Sequence, residues 1–153
     1  MVSVGSLVQL CGRIQMDNLN AEKRYTPLGA YAQSKLATLV LSQILNQKLQ
    51  QKASRTIAVA AHPGITQSGL ARHNAFLTAV MPFVGQPAAK GALSLLVAAA
   101  GSGVRGGDFI GPRGFLTMRG APHAAWARPL TRNLAVGEQL WGAAEELTGY
   151  RYL

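Results

Sequence analysis

Apolar side chains recur at Leu36, Leu39, Val40, Ile44 and Leu49 with polar residues between them, a pattern that keeps one face of a helix apolar from Gly29 to about Gln51. Pro27 stands just ahead, where a proline suits the first helical turn. Earlier, Val2-Ser3-Val4 alternates β-branched and small side chains and stops at Gly5-Ser6, which predicts the end of a strand. From Leu7 to Thr26 no period is sustained, and Asp17-Asn18-Leu19-Asn20 followed by Glu22-Lys23-Arg24 predicts a solvated connecting segment. A connection of that length usually carries function.

Beyond the helix, the mostly apolar run Arg55-Thr56-Ile57-Ala58-Val59-Ala60-Ala61 meets His62-Pro63-Gly64, as a buried parallel strand entering a loop at its carboxyl end would. Residues 65 to 85 mix polar positions with Phe76, Met81 and Phe83, which predicts a lid or a short helix whose apolar side covers a site or packs into the core. Pro87 opens a second helix through Leu93, Leu96 and Val97 to Ala100, closed by Gly101-Ser102-Gly103. Asp108-Phe109-Ile110 predicts a third strand, and Asn133 to Leu147 a last helix ended by Gly149. Strands alternating with helices argue for an α/β fold with an open, doubly wound, mostly parallel sheet, whose ligands bind beyond the carboxyl ends of the strands. About three strands is fewer than the roughly five or six of an average sheet, so residues 1–153 read as the second half of such a domain.

Composition narrows the function. With 48% hydrophobic and 14% charged residues the chain is a folded unit rather than a disordered tail. Its 15 Lys and Arg against 6 Asp and Glu give +9, which suits a nucleic acid, an anionic cofactor, or a chain whose acidic portion lies elsewhere. The cations are scattered from Arg13 to Arg151, never in a run of more than two, and are not interleaved with aromatics, which argues against nucleic acid. No uncharged stretch reaches the ~20 apolar residues of a transmembrane helix, and no leader pattern follows Met1, so a cytoplasmic location is expected. Cys11 stands alone, and His73 and His123 are isolated, so neither a disulfide nor a metal site is expected. Cys11 is expected to be at least half-buried, the two histidines to lie at the surface, and Trp126, Trp141, Tyr150 and Tyr152 to pack.

Tyr31 and Lys35 are four apart on the long helix and share a face. An ammonium about 4–6 Å from a phenol favours the phenolate, which makes such a tyrosine a proton donor and acceptor at cellular pH. The pair alone also suits an ordinary solvated face. Its context is Ala30-Tyr31-Ala32-Gln33-Ser34-Lys35-Leu36-Ala37, preceded by the strand-end serine of Val4-Gly5-Ser6 and followed by Ala61-His62-Pro63-Gly64-Ile65-Thr66-Gln67-Ser68-Gly69-Leu70.

These three motifs, in this order, resemble the C-terminal half of short-chain dehydrogenases/reductases. The step from Ser6 to Tyr31, Gly12-Arg13-Ile14 within it, Gly111-Pro112 and Leu147-Thr148-Gly149 resemble the retinol-dehydrogenase-like branch. The resemblance implies a Rossmann-type fold and an oxidoreductase that moves hydride between NAD or NADP and a hydrophobic carbonyl or alcohol substrate. It implies Tyr31 as the general acid/base, Ser6 as a hydrogen-bond partner of the substrate oxygen, and Lys35 as the holder of the nicotinamide ribose. Pro63, Gly64 and Ile65, with Ser68, would meet the nicotinamide carboxamide. His62 would serve packing and turn geometry. Ser68 stands where the family more often has Thr, and Gly5-Ser6 where it has Ser-Ser. The family's Gly-rich phosphate loop has no counterpart, since Gly101 to Gly107 follows a helix and reads as a turn. The helix bearing Tyr31 often forms a dimer interface in the family, which implies a homo-oligomer. The rival reading is a non-catalytic remnant, or an interaction module that folds against a partner. Either way, a bare edge at Val2–Val4 predicts that the chain expressed alone self-associates. Light scattering checks this; a monodisperse monomer with cooperative melting is the contrary outcome.

Overall fold

The computed structural model describes residues 1–67 and 85–153. Ser68, His73, Phe76, Met81 and Phe83, and with them the expected lid, lie outside the described residues. The main sheet has the order β1 (Val2–Val4), β2 (Val59–Ala61), β5 (Phe109–Pro112), β6 (Pro122–Ala124). β1 and β2 run parallel with Val2 opposite Val59 and Val4 opposite Ala61, β5 adds parallel to β2, and β6 closes the row antiparallel. Two-residue strands β3 (Thr66–Gln67) and β4 (Gln86–Pro87) form a separate parallel pair.

Among the described residues, α1 (Pro27–Gln51) and α2 (Ala88–Ala100) cover the sheet, and α3 (Leu134–Thr148) packs on α1. The alternation of side chains along β2 and β5 divides the core in two. Val59, Ala61 and Ile110 pack with Ala98 of α2, whereas Ala60 and Phe109 pack with Leu39 of α1. Helices therefore lie on opposite faces, as in a doubly wound sheet. A third cluster, Leu36, Val40 and Leu140, seats α3 on α1.

The helix ends follow their capping residues. Thr26 Oγ1 accepts from the Gly29 N–H at 3.2 Å, so α1 begins at Pro27, two residues before the hydrophobic pattern. Asn133 caps α3 through the Val136 N–H, and Gly149 ends it at φ 66°, the left-handed conformation that a glycine adopts without strain.

Several expectations are corrected. The strand predicted from Arg55 is confined to Val59–Ala61, because the preceding residues bring the chain back from α1: Ser54 N–H bonds Leu49 O, and Ala58 N–H bonds Asn46 Oδ1. The third strand starts at Phe109 and extends to Pro112, where β6 pairs with it. β6 was not expected, since Pro122-His123-Ala124 has no alternation; its proline is tolerated on an edge. The segment from Leu7 to Thr26 holds two short 3-10 helices, Leu7–Cys11 and Met16–Asn18, and is tied down rather than loosely solvated. Buried Gln33 accepts from Gln15 N–H at 2.9 Å and donates to Asn18 O and Leu19 O at 3.1 and 3.2 Å. Cys11, Trp126, Tyr150 and Tyr152 are exposed, not packed.

Gly12 follows the first 3-10 helix at the point where it meets α1. A Cβ there would lie 2.5 Å from Ala32 O, a backbone atom that cannot turn aside. Gly12→Ala is expected to destabilise the fold by about 1–3 kcal/mol. Gly142, inside α3 with open space where its Cβ would go, is the control: Gly142→Ala is expected to stabilise by about 1 kcal/mol. Urea unfolding of both variants measures the contrast.

Candidate active site

Parallel strands send their carboxyl ends to one edge of the sheet, and three loops emerge there. After β1 the ladder continues to Gly5, whose N–H bonds Ala61 O at 2.7 Å. A side chain at Gly5 would meet Leu39 and Phe109, its Cβ 2.6 and 3.0 Å from the nearest atoms, which accounts for the missing first serine. Ser6 is extended, and its Oγ accepts from the Val8 N–H at 3.3 Å as the cap of the 3-10 helix. An accepting hydroxyl keeps its own proton to donate.

Tyr31 and Lys35 stand on α1 beside this strand end. Lys35 Nζ donates to Val4 O at 3.0 Å and lies 5.9 Å from the centre of the Tyr31 ring, within cation–π reach. Tyr31 is 38% exposed and Lys35 half-buried. One ammonium thus links the strand that delivers Ser6 to the helix that carries Tyr31, with two donors left over.

At the end of β2 the chain turns through Pro63, Gly64 and Ile65. Gly64 has φ 71°, and a side chain on it would run into Met118 O and Pro112. The turn is bonded on every side: Gly64 N–H to His62 Nδ1 at 3.2 Å, Ile65 N–H to Met118 O at 2.8 Å, and Pro63 O from Gln86 Nε2 at 2.8 Å. Helix α2 reaches the same turn through Gly91, whose absent side chain leaves room for Thr66 and Pro63. Ser68, the last of the expected contacts, lies outside the described residues. Sequence reasoning missed the Val4 carbonyl, which no side-chain pattern signals. It also missed Gln86, marked only as a lone polar residue ahead of the Pro87 helix start.

His62 is fully buried, with its ring 5.0 Å from that of Phe109 and its Nε2 without a hydrogen-bond partner among the described residues. Burial, with a smaller contribution from the His123 charge, pushes its pKa from the ordinary 6.5 down to about 4. A neutral ring accepting the Gly64 N–H is a turn-former, in keeping with the role expected for it. His123 is not the isolated surface residue expected. It is half-buried on β6, with Nδ1 3.0 Å from Gly111 O. Among the described residues no cluster of three His, Cys, Asp or Glu could hold a metal, and no helix is long and apolar enough to cross a membrane.

No protein-family model matches the chain. Curated proteins do. Human retinol dehydrogenase 12 is 33% identical over 156 residues, covering 99% of this chain and 46% of the relative. Mouse polyprenol dehydrogenase is 31% identical across 97% of this chain and 44% of its own length. A short-chain dehydrogenase from Brassica napus, TIC 32 A, is 38% identical over 68 residues, 44% of this chain and 21% of its own. The chain belongs to the short-chain dehydrogenase/reductase family. It spans about half the length of the curated relatives it matches. The fold agrees: a crystal structure of an uncharacterized protein from Mycobacterium paratuberculosis superposes with TM-score 0.78 at 29% identity, over 99% of this chain and 51% of the other.

The low His62 pKa ties stability to pH. As pH falls, the unfolded chain takes up the proton first, near 6.5, while the folded chain resists to about 4. The stability that His62 contributes is therefore complete above about 6.5 and is lost as pH falls from there to 4, by about 3 kcal/mol. His62→Asn, whose amide oxygen can still accept from Gly64 N–H, is expected to flatten that part of the profile. Urea unfolding at pH 7, 5.5 and 4.5 reads the slope.

Proposed function

We propose that the chain supplies the proton-transfer and nicotinamide-binding half of an NAD(P)-dependent oxidoreductase acting on an apolar alcohol or its carbonyl. The observation that carries this reading is Lys35, bonded to the end of β1 and beside Tyr31 at once. The names of the relatives, retinol and polyprenol dehydrogenases, support the substrate class.

The donor set fits the nicotinamide end of NAD or NADP. Lys35 has N–H groups to spare for the ribose diol, Tyr31 is open to solvent, and a glycine turn with φ 71° brings bare backbone to the same edge. Ser68 would add a hydroxyl for the carboxamide. Bound NAD(P) supplies or accepts the hydride. In reduction, the Tyr31 hydroxyl gives its proton to the carbonyl oxygen as the carbon becomes an alcohol carbon. Ser6 donates a hydrogen bond to the same oxygen, drawing charge onto it, and the Lys35 ammonium stabilises the tyrosinate left behind. Oxidation runs the same proton path in reverse. Residues 1–153 form one unit in this reading, and the pyrophosphate is held by groups other than the described residues, which carry no Gly-rich turn between a strand and a helix.

A second reading, an interaction module without catalysis, draws on β1, which has β2 as its one neighbour in the described sheet, with Val4 exposed. Titration of the purified protein with NADH and NADPH separates the two, since the module binds neither. In the protein that binds, Tyr31→Phe is expected to abolish turnover of retinal and long-chain aldehydes, by at least about a thousandfold, and to leave nucleotide affinity unchanged. Retained turnover removes Tyr31 from the chemistry.

A further inference from the structure

The Pro63–Ile65 turn follows β2 and the Arg113–Ala121 loop follows β5, and one buried side chain ties them together. Gln86 is 3% exposed. Its Nε2 donates to Pro63 O at 2.8 Å, its Oε1 accepts from Gly120 N–H at 3.0 Å, and its backbone N–H donates to Ile65 O at 2.8 Å. A carboxamide is costly to bury unless both of its ends are bonded; here both are, each to a different loop. Capping does not account for it, because Pro87 is the residue that precedes α2 and no side chain caps that helix.

The loop on the far side of Gln86 needs support. Leu116 and Thr117 are consecutive non-glycine residues at φ 48° and 54°, a conformation that L side chains adopt only under constraint. Thr117 Oγ1 is buried without a partner among the described residues. The bonds from Gly120 N–H to Gln86 and from Ile65 N–H to Met118 O hold this strained loop against the turn. The turn in exchange loses freedom at Pro63 and Ile65, residues expected to face the cofactor.

We propose that Gln86 is a positioning residue for the nicotinamide end of the cofactor: its carboxamide clips the Pro63–Ile65 turn to the Arg113–Ala121 loop and holds the turn in its binding form before the cofactor arrives. The inference rests on the reading of this edge as a nicotinamide site. Ordering the turn in advance removes a cost that binding would otherwise meet, so loss of the clip weakens affinity.

The test titrates the purified protein with reduced nicotinamide mononucleotide, which lacks the adenine half, and follows the nicotinamide fluorescence. Gln86→Met keeps the volume and loses both side-chain bonds. Gln86→Glu keeps the acceptor for Gly120 N–H and loses the donor to Pro63. Both are expected to weaken binding about tenfold, the size of one or two neutral hydrogen bonds. In Gln86→Glu the Gly120 amide stays protected from hydrogen exchange, so the affinity loss is traced to the Pro63 side. Equal affinity of both variants and wild type overturns the positioning role and leaves the site reading standing. Affinity that recovers in both variants on cooling below their melting transitions also overturns it, since the residue would then serve stability alone. No binding by the wild-type protein overturns the site reading itself, and this inference with it.

Discussion

Leu36, Val40 and Ile44 are almost wholly removed from solvent beneath α3 and Leu39 packs on Ala60 and Phe109 of the sheet, so the two contacts together fix the rotation of α1 about its own axis. A helix so fixed has no freedom left in where its other residues point. Lys35 and Tyr31 lie four and eight residues before Leu39, about one and two turns, and so continue its side of the helix to the end of β1, where Tyr31 is partly exposed and Lys35 half-buried. The placement of these two side chains at that edge is a consequence of core packing. Polar residues on the buried side reinforce the placement: Gln33 holds the segment after Ser6, and Asn46 Oδ1 accepts from the Ala58 N–H just before β2.

The parts legible in sequence were those in which side-chain pattern decides structure. The apolar stripe gave α1, Gly149 gave the end of α3, and the Gly-Pro punctuation gave the loops at the strand ends. Where backbone partners decide, the pattern was silent. β6 pairs with the edge that β5 offers, and the strand expected from Arg55 is held back to Val59, where Asn46 of α1 rather than a strand takes the Ala58 N–H. The exposure of Cys11 and Trp126 was likewise unreadable, since small and aromatic side chains are apolar whether or not a neighbour covers them.

The site divides along the same line. Ser6, Tyr31 and Lys35 carry their chemistry in their side chains, and spacing alone placed the last two together. The Val4 carbonyl, the Met118 carbonyl and the Gln86 clip have no such signature. Among the described residues three buried carboxamides hold irregular backbone, Gln33, Asn46 and Gln86, each bonding main-chain atoms of a segment outside regular structure, whereas Gln9 is buried with neither end bonded. Those three fit poorly into any apolar pattern, yet each saves a loop from leaving its backbone unsatisfied in the interior.

Lys35 follows from the same accounting at the sheet edge. Met1 O and Gly5 N–H both bond β2, so the odd-numbered residues of β1 face that neighbour, and the carbonyls of Val2 and Val4 point the other way. A main-chain oxygen so turned needs a donor, and the Lys35 ammonium provides one to Val4. Strand register and lysine position are thereby coupled. A slip of β1 by one residue against β2 would turn the Val4 carbonyl into the ladder and leave the ammonium without its anchor. The distance from lysine to tyrosine belongs to the helix, but the place of both over the strand end belongs to the register Val4 opposite Ala61. A three-residue strand, short as it is, sets where the Lys35–Tyr31 pair stands.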